Sequence, residues 1–136
     1  EQLRELDTWI RSQVSLIPPE ARLLVTDHQV FGYFAAQYGF EQIGAILPAY
    51  STLSMPTAQE LAQLEDAIRS AGVQVILVGE TVNPNLAERV AADTGVQLVY
   101  IYTGSLSPAG GPAATYLDYM RHNVNQIITA LQGCDC

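Results

Sequence analysis

Apolar positions along the chain alternate between two spacings. In "EQLRELDTWIRSQVSLI", Leu3, Leu6, Trp9, Ile10 and Val14 recur close to helical spacing, and Pro18 and Pro19 end the pattern, which predicts an opening helix. "RLLVTD" is a short apolar run and predicts a strand, followed by a helix over "QVFGYFAAQYG" that Gly39 closes. "QIGAILPAY" predicts a second strand, broken by Pro48. "TAQELAQLEDAIRSAG" predicts a helix with Thr57 and Glu60 in capping-box spacing, Leu61, Leu64 and Ile68 on its inner face, and Gly72 after its end. "VQVILVGE" is nearly continuous in Val, Ile and Leu, as expected of a strand covered on both faces. "NPNLAERVAADTG" predicts a helix with Pro84 near its start and Gly95 past its end, and "VQLVYIY" a fourth strand. "TGSLSPAGGPA" then predicts a flexible connector to a long final helix, "ATYLDYMRHNVNQIITALQ".

Strands alternating with helices of this length require right-handed crossovers and a parallel sheet. The fold class expected is α/β: an open, mostly parallel, four-stranded sheet with helices on both faces. Ligands of such sheets bind outside the carboxyl ends of the strands. Three segments fall there: Asp27 and His28 after the first strand, Glu80 after the third, and residues 103 to 105 after the fourth.

Composition narrows the function. A chain of 136 residues that is 49% hydrophobic and 15% charged reads as one globular domain. Its formal charge is −8, with fourteen Asp and Glu against six Arg and no Lys. Such a surface repels phosphate backbones and anionic lipid, so no nucleic-acid partner is expected. No apolar run approaches the roughly 20 residues that span a bilayer, and nothing at the start resembles a signal peptide. Because it starts at Glu1 rather than Met, the chain reads as a processed or trimmed product. Cys134 and Cys136 lie in the terminal "CDC" and read as incidental tail residues that say nothing of redox compartment.

On the residues alone, His28 suits a general base, a metal ligand or a hydrogen-bonding cap, and the cap or surface reading is favoured for a single unrecognised imidazole. No Ser sits in a Gly-x-Ser-x-Gly elbow, and "TDHQVFG" is no glycine-rich dinucleotide turn. Glu80 suits a metal ligand, a cap of the following helix or a solvated carboxylate. His122 reads as a surface or packing residue of the final helix, far from the strand tips. Tyr33, Phe34 and Tyr38 read as core, and Asn123 as a hydrogen-bonding residue within the domain.

"LVTDHQVFGYFAAQYGF", "NPNLAERVAADTGV" and "TYLDYMRHNVNQIITAL", in this order, resemble the carboxyl-terminal lobe of the metal-binding proteins that feed zinc and manganese ABC transporters. The corresponding family forms are roughly Thr-Ser-His-Asp-Ala-Phe-Gly-Tyr-Phe, an Asn-Pro-x-Leu-Ala helix start with a Thr-Gly turn at its end, and Tyr-x-x-x-Met-Arg-x-Asn. The resemblance covers nearly the whole chain. It implies an extracytoplasmic, periplasmic or cell-surface anchored binding protein rather than an enzyme, with a membrane permease as partner. It further implies a clamshell of two α/β lobes joined by a long helix, with zinc or manganese held between them as the transported ligand. Residues 1–17 would be the end of that helix and 18–136 the carboxyl-terminal lobe, the other lobe being missing from this chain. His28 falls on the metal-ligand position of the strand-tip segment, and Glu80 is the second candidate ligand.

One departure stands out: in "YTGSL", Gly104 occupies the position where the family usually carries a carboxylate ligand. Three arrangements remain open on the sequence: three His and a water, a carboxylate supplied by Glu80 or Asp27, or a lobe that has lost tight binding. The competing readings are a stand-alone α/β enzyme using Asp27 and His28 as acid-base partners, and a lobe without metal-binding activity.

Overall fold

The computed structural model describes residues 1–27, 31–46, 56–79, 84–103 and 106–132. In chain order these form helix α1 (Gln2–Val14), a 3-10 turn (Pro19–Ala21), strand β1 (Leu23–Thr26), α2 (Gly32–Tyr38), β2 (Glu41–Ala45), α3 (Ala58–Ala71), β3 (Val75–Gly79), α4 (Asn85–Thr94), β4 (Gln97–Ile101) and α5 (Tyr116–Gln132). All strand pairs are parallel, and the sheet order is β2-β1-β3-β4. The expected architecture is thus present.

Alternation along the strands divides the core into two layers. Leu24, Val75, Leu77, Val99 and Ile101 pack with Leu6, Ile10 and Val14 of α1 and with Val124, Ile127 and Ile128 of α5. Their neighbours Val25, Ile76 and Val78 enter the opposite layer, against Ile68 of α3 and Val90 of α4. All five residues of β3 are buried, which is why its sequence shows no polar alternation.

The helix ends follow the local chemistry read from the sequence. At α3, Thr57 Oγ1 accepts from the Glu60 amide at 3.1 Å while Glu60 Oε2 accepts from the Thr57 amide at 3.2 Å, so the capping box is complete. Gly72, with φ of 76°, closes that helix in the left-handed region. Pro18 and Pro19 stop α1 as expected, but the chain also winds a 3-10 turn there, with the Ala21 amide donating to the Pro18 carbonyl at 2.9 Å.

The segment after β4 differs from the connector expected. Its carboxyl-terminal part is a hydrogen-bonded loop. The Ser107 amide donates to the Ala113 carbonyl at 2.9 Å, the Ala113 amide to Ser107 Oγ at 3.0 Å, and the Gly111 amide to the Pro108 carbonyl at 2.9 Å. Ser107 and Ala113 are both buried. Glycine composition suggested freedom, but at Gly111 it serves close packing: a Cβ there would lie 2.7 Å from Ser107 Oγ and 3.0 Å from the Pro108 carbonyl oxygen.

Candidate functional site

The strand order sets the place of the site. The chain leaves β1 toward β2 on one side, then crosses to β3 on the other, so the connections after β1 and β3 diverge above their carboxyl ends. A crevice at such a switch point is where open α/β sheets bind ligands.

Asp27 stands at that point. It is 5% exposed, its amide donates to the Leu77 carbonyl at 3.0 Å, and its Oδ2 accepts from the Gly79 amide at 3.1 Å. On the other side of β1, Thr26 Oγ1 accepts from Gln42 Nε2 at 2.7 Å. The end of β1 is therefore tied to both neighbouring strands. The next residues in the chain, His28 after Asp27 and Glu80 after Gly79, lie outside the described residues, as do Gly104, Cys134 and Cys136. Asp27 directs one carboxylate oxygen to a main-chain amide, which is a structural tie between the end of β1 and the end of β3. Among the described residues, no group of three or more His, Cys, Asp or Glu side chains comes together to hold a metal ion.

The end of β4 is fixed from α5. Asn123, 5% exposed, accepts at Oδ1 from the Tyr102 amide at 2.9 Å and donates from Nδ2 to the Tyr102 carbonyl at 2.7 Å. The expectation of a hydrogen-bonding role within the domain is met, and its target is the segment that leads through Thr103 to Gly104. His122 does pack, as expected, but not away from the strand tips: its ring meets Tyr102 edge-on, with centroids 5.4 Å apart. The turn of α5 that carries Asn123 necessarily carries its neighbour to the same strand end. His122 Nε2 is buried without a hydrogen-bond partner.

Beside this strand end lies a cavity of about 500 Å³ between α2 and α5, whose lining includes Phe31, Phe34, Tyr38, Thr103, Tyr119 and Met120. Phe34 and Tyr38 pack against the core with ring centroids 5.0 Å apart. Tyr33 departs from the core role expected: it is 95% exposed. Phe34 and Tyr38 are four residues apart and share a helix face, whereas Tyr33 is turned about 100° from Phe34. Among the described residues, the cavity lining carries no carboxylate and is largely aromatic.

The seam of α1 and α2 contains the clearest electrostatic perturbation. Tyr38 donates its hydroxyl to Asp7 Oδ1 at 2.9 Å, and Arg11 Nε donates to Asp7 Oδ2 at 3.0 Å. Burial, and then the hydrogen bond to Asp7, push the Tyr38 hydroxyl up to about 12. The hydrogen bonds from Arg11 and Tyr38 hold the Asp7 carboxyl below its ordinary value. This seam belongs to the scaffold and not to the crevice.

Sequence reasoning placed the amide role of Asn123. It missed the bond from Gly79 to Asp27 and the contact between His122 and Tyr102. Both join segments far apart in the chain, and only the strand order brings them together.

The family described as zinc-uptake complex component A, periplasmic, matches residues 1–130. The manganese-binding lipoprotein MntA of Halalkalibacterium halodurans is 30% identical over 132 residues, covering 96% of this chain and 43% of the relative. The zinc-binding protein TroA of Treponema pallidum is 31% identical over 137 residues, covering 96% and 44%. The solved structure of that periplasmic zinc-binding protein superposes with a TM-score of 0.85 at 30% identity, over 96% of this chain and 48% of the other. The chain thus spans less than half the length of the curated relatives it matches.

Proposed function

The chain belongs to the periplasmic zinc-uptake component A family, and on that premise we propose that it is the carboxyl-terminal lobe of a substrate-binding protein that delivers zinc or manganese to an ABC importer. The ion is cargo, bound outside the cytoplasm and handed to the membrane permease. His28 and Glu80 supply the ligands of this lobe, one imidazole nitrogen and one carboxylate oxygen. This donor set suits borderline and hard divalent ions alike, in keeping with relatives named for zinc and for manganese. The remaining ligands come from an amino-terminal lobe joined through the helix that ends in α1.

The observation that carries this reading is the switch point itself. β1 and β3 are neighbours, β1 ending opposite Leu77 and β3 at Gly79, and His28 and Glu80 are the first residues in the chain beyond the described Asp27 and Gly79. The core layers on both sheet faces are apolar, so the fold rests on burial and leaves the crevice to bind and release an ion. The enzyme reading has no comparable support, because the matching family and the relatives are described as metal-uptake and metal-binding proteins.

A lone lobe offers two of the four or more ligands of a tight site, so its own affinity is weak and depends on His28. Equilibrium dialysis of the chain against zinc, with His28→Ala alongside, tests this. Binding lost in the variant supports the reading, and equal binding by both proteins overturns it.

A further inference from the structure

We propose that the cavity between α2 and α5 binds a small organic cation, an alkylated ammonium, through the aromatic rings that line it. This site owes nothing to His28 or Glu80, and all of its named residues are among those described.

The cavity holds about 500 Å³ and collects rings from two helices. Phe31, Tyr33, Phe34 and Tyr38 come from α2 and the residue before it, and Tyr116 and Tyr119 from α5. Tyr116 and Tyr119 lie nearly parallel, with an interplanar angle of 17° and centroids 6.4 Å apart. Among the described residues, the lining contains no Asp, Glu, Lys, Arg or His. Asn123 has both ends of its side-chain amide engaged by Tyr102, and Tyr38 has its hydroxyl proton committed to Asp7. What these walls offer a ligand is mainly π surface.

The negative face of an aromatic ring attracts a cation, most strongly where water is excluded. Tyr38 already shows this. Arg11 stands over its ring, 5.4 Å from the centroid, and the two residues border a neighbouring cavity of about 200 Å³. The larger cavity has the same kind of wall and, among the described residues, no cationic side chain of its own. A formal charge of −8 adds a field that favours cations over neutral or anionic ligands. A hydrated metal ion would demand oxygen ligands in exchange for its water, whereas an alkylated ammonium brings an apolar surface that packs on rings. Tyr33 and Tyr116 are exposed while lining the cavity, so a ligand there covers ring surface that the fold leaves in water. The positive end of the α5 dipole opposes a cation, but Asp118 in the first turn offsets it, and the lining continues to Ile127, about three turns further along the helix.

Choline titrated into the chain in excess sodium chloride, with the methyl protons of its trimethylammonium group followed by NMR, tests this. The control ligand is the neutral analogue in which a tert-butyl group replaces trimethylammonium. Ring currents should shift the choline methyl resonance upfield on binding, and choline should bind at least about tenfold more tightly than the analogue. Tyr33→Leu and Tyr116→Leu, both at exposed positions, should each weaken choline binding about threefold, whereas Tyr116→Phe keeps the ring and should leave it unchanged. Should Tyr116→Leu not fold, as seen by circular dichroism, Tyr33→Leu carries the same expectation. Equal affinity for choline and the neutral analogue overturns the cation assignment. A choline resonance that does not move, or binding that the folded leucine variants leave unchanged, overturns the site. Each of these results leaves the metal reading standing, because none of them measures zinc.

Discussion

The side-chain amide of Asn123 holds both main-chain polar groups of Tyr102, accepting from its N–H at 2.9 Å and donating to its carbonyl at 2.7 Å. The cause lies in the edge position of β4. The Gln97 amide points to β3, donating to the Gln74 carbonyl at 3.1 Å, so the groups two residues apart along β4 share that direction and those between them face outward. The carbonyl of Tyr100 accordingly takes a bond from Gln126 Nε2 at 3.3 Å. At Tyr102, on the edge strand of the described sheet, the Asn123 amide takes the place that the peptides of a further strand would fill.

Asn123→Ala removes both bonds at a buried position and should cost about 1–3 kcal/mol of folding stability. Urea denaturation of the wild type and the variant measures it. An unchanged midpoint would show that water satisfies Tyr102 as well as the amide does.

The Tyr38–Asp7 pair predicts a pH dependence at both ends of the scale. Tyr38 is raised to about 12 in the folded protein, so its contribution is fully present below its unfolded value and is lost as pH rises through about 12. Asp7 is lowered, so its contribution is present above its ordinary carboxyl value and is lost as pH falls through the lower folded value. Tyrosinate absorbance of the wild type minus that of Tyr38→Phe should show one group ionising near 12. In Asp7→Asn that ionisation should move down while remaining above the ordinary tyrosine value, because burial is the larger cause. Ionisation at the ordinary value in the wild type would contradict the hydrogen bond.

Gly111 supports a third prediction. An added Cβ would approach Ser107 Oγ to 2.7 Å and the Pro108 carbonyl oxygen to 3.0 Å, and the second is main chain and does not yield by a rotamer change. Gly111→Ala should therefore destabilise by about 1–3 kcal/mol, whereas Gly95→Ala, with open space around it, is penalised through its φ of 77° alone. Thermal unfolding of the two variants separates the causes. If Gly111→Ala is as stable as the wild type, the loop is looser than its hydrogen bonds imply.

Much of the fold was legible in the sequence because it is specified locally. Periodicity marks each helix and strand, Thr57 and Glu60 mark the start of α3, and Gly39, Gly72 and Gly95 stand at helix ends with φ near 76°. The unbroken apolar run of β3 even announced that both sheet faces are covered. Strand order was not legible: nothing near Leu23 or Val75 in the chain says that β1 and β3 are neighbours. The rung from Gly79 to Asp27 and the contact of His122 with Tyr102 follow from that order and were missed for the same reason. Tyr33 misled because seven residues of α2 offer too few turns to separate the core face from its neighbour by spacing. Of the candidate site, the sequence supplied His28 and Glu80, which lie outside the described residues, and the structure supplied the strand order that makes β1 and β3 neighbours.

Crystals of the chain grown with zinc, measured at the zinc absorption edge, test the central claim most directly. An anomalous peak above the carboxyl ends of β1 and β3, within coordination distance of His28 and absent in crystals of His28→Ala, is the result predicted. A peak at Cys134 and Cys136, or elsewhere on the surface with none at the switch point, would contradict the assignment of this edge as the metal site.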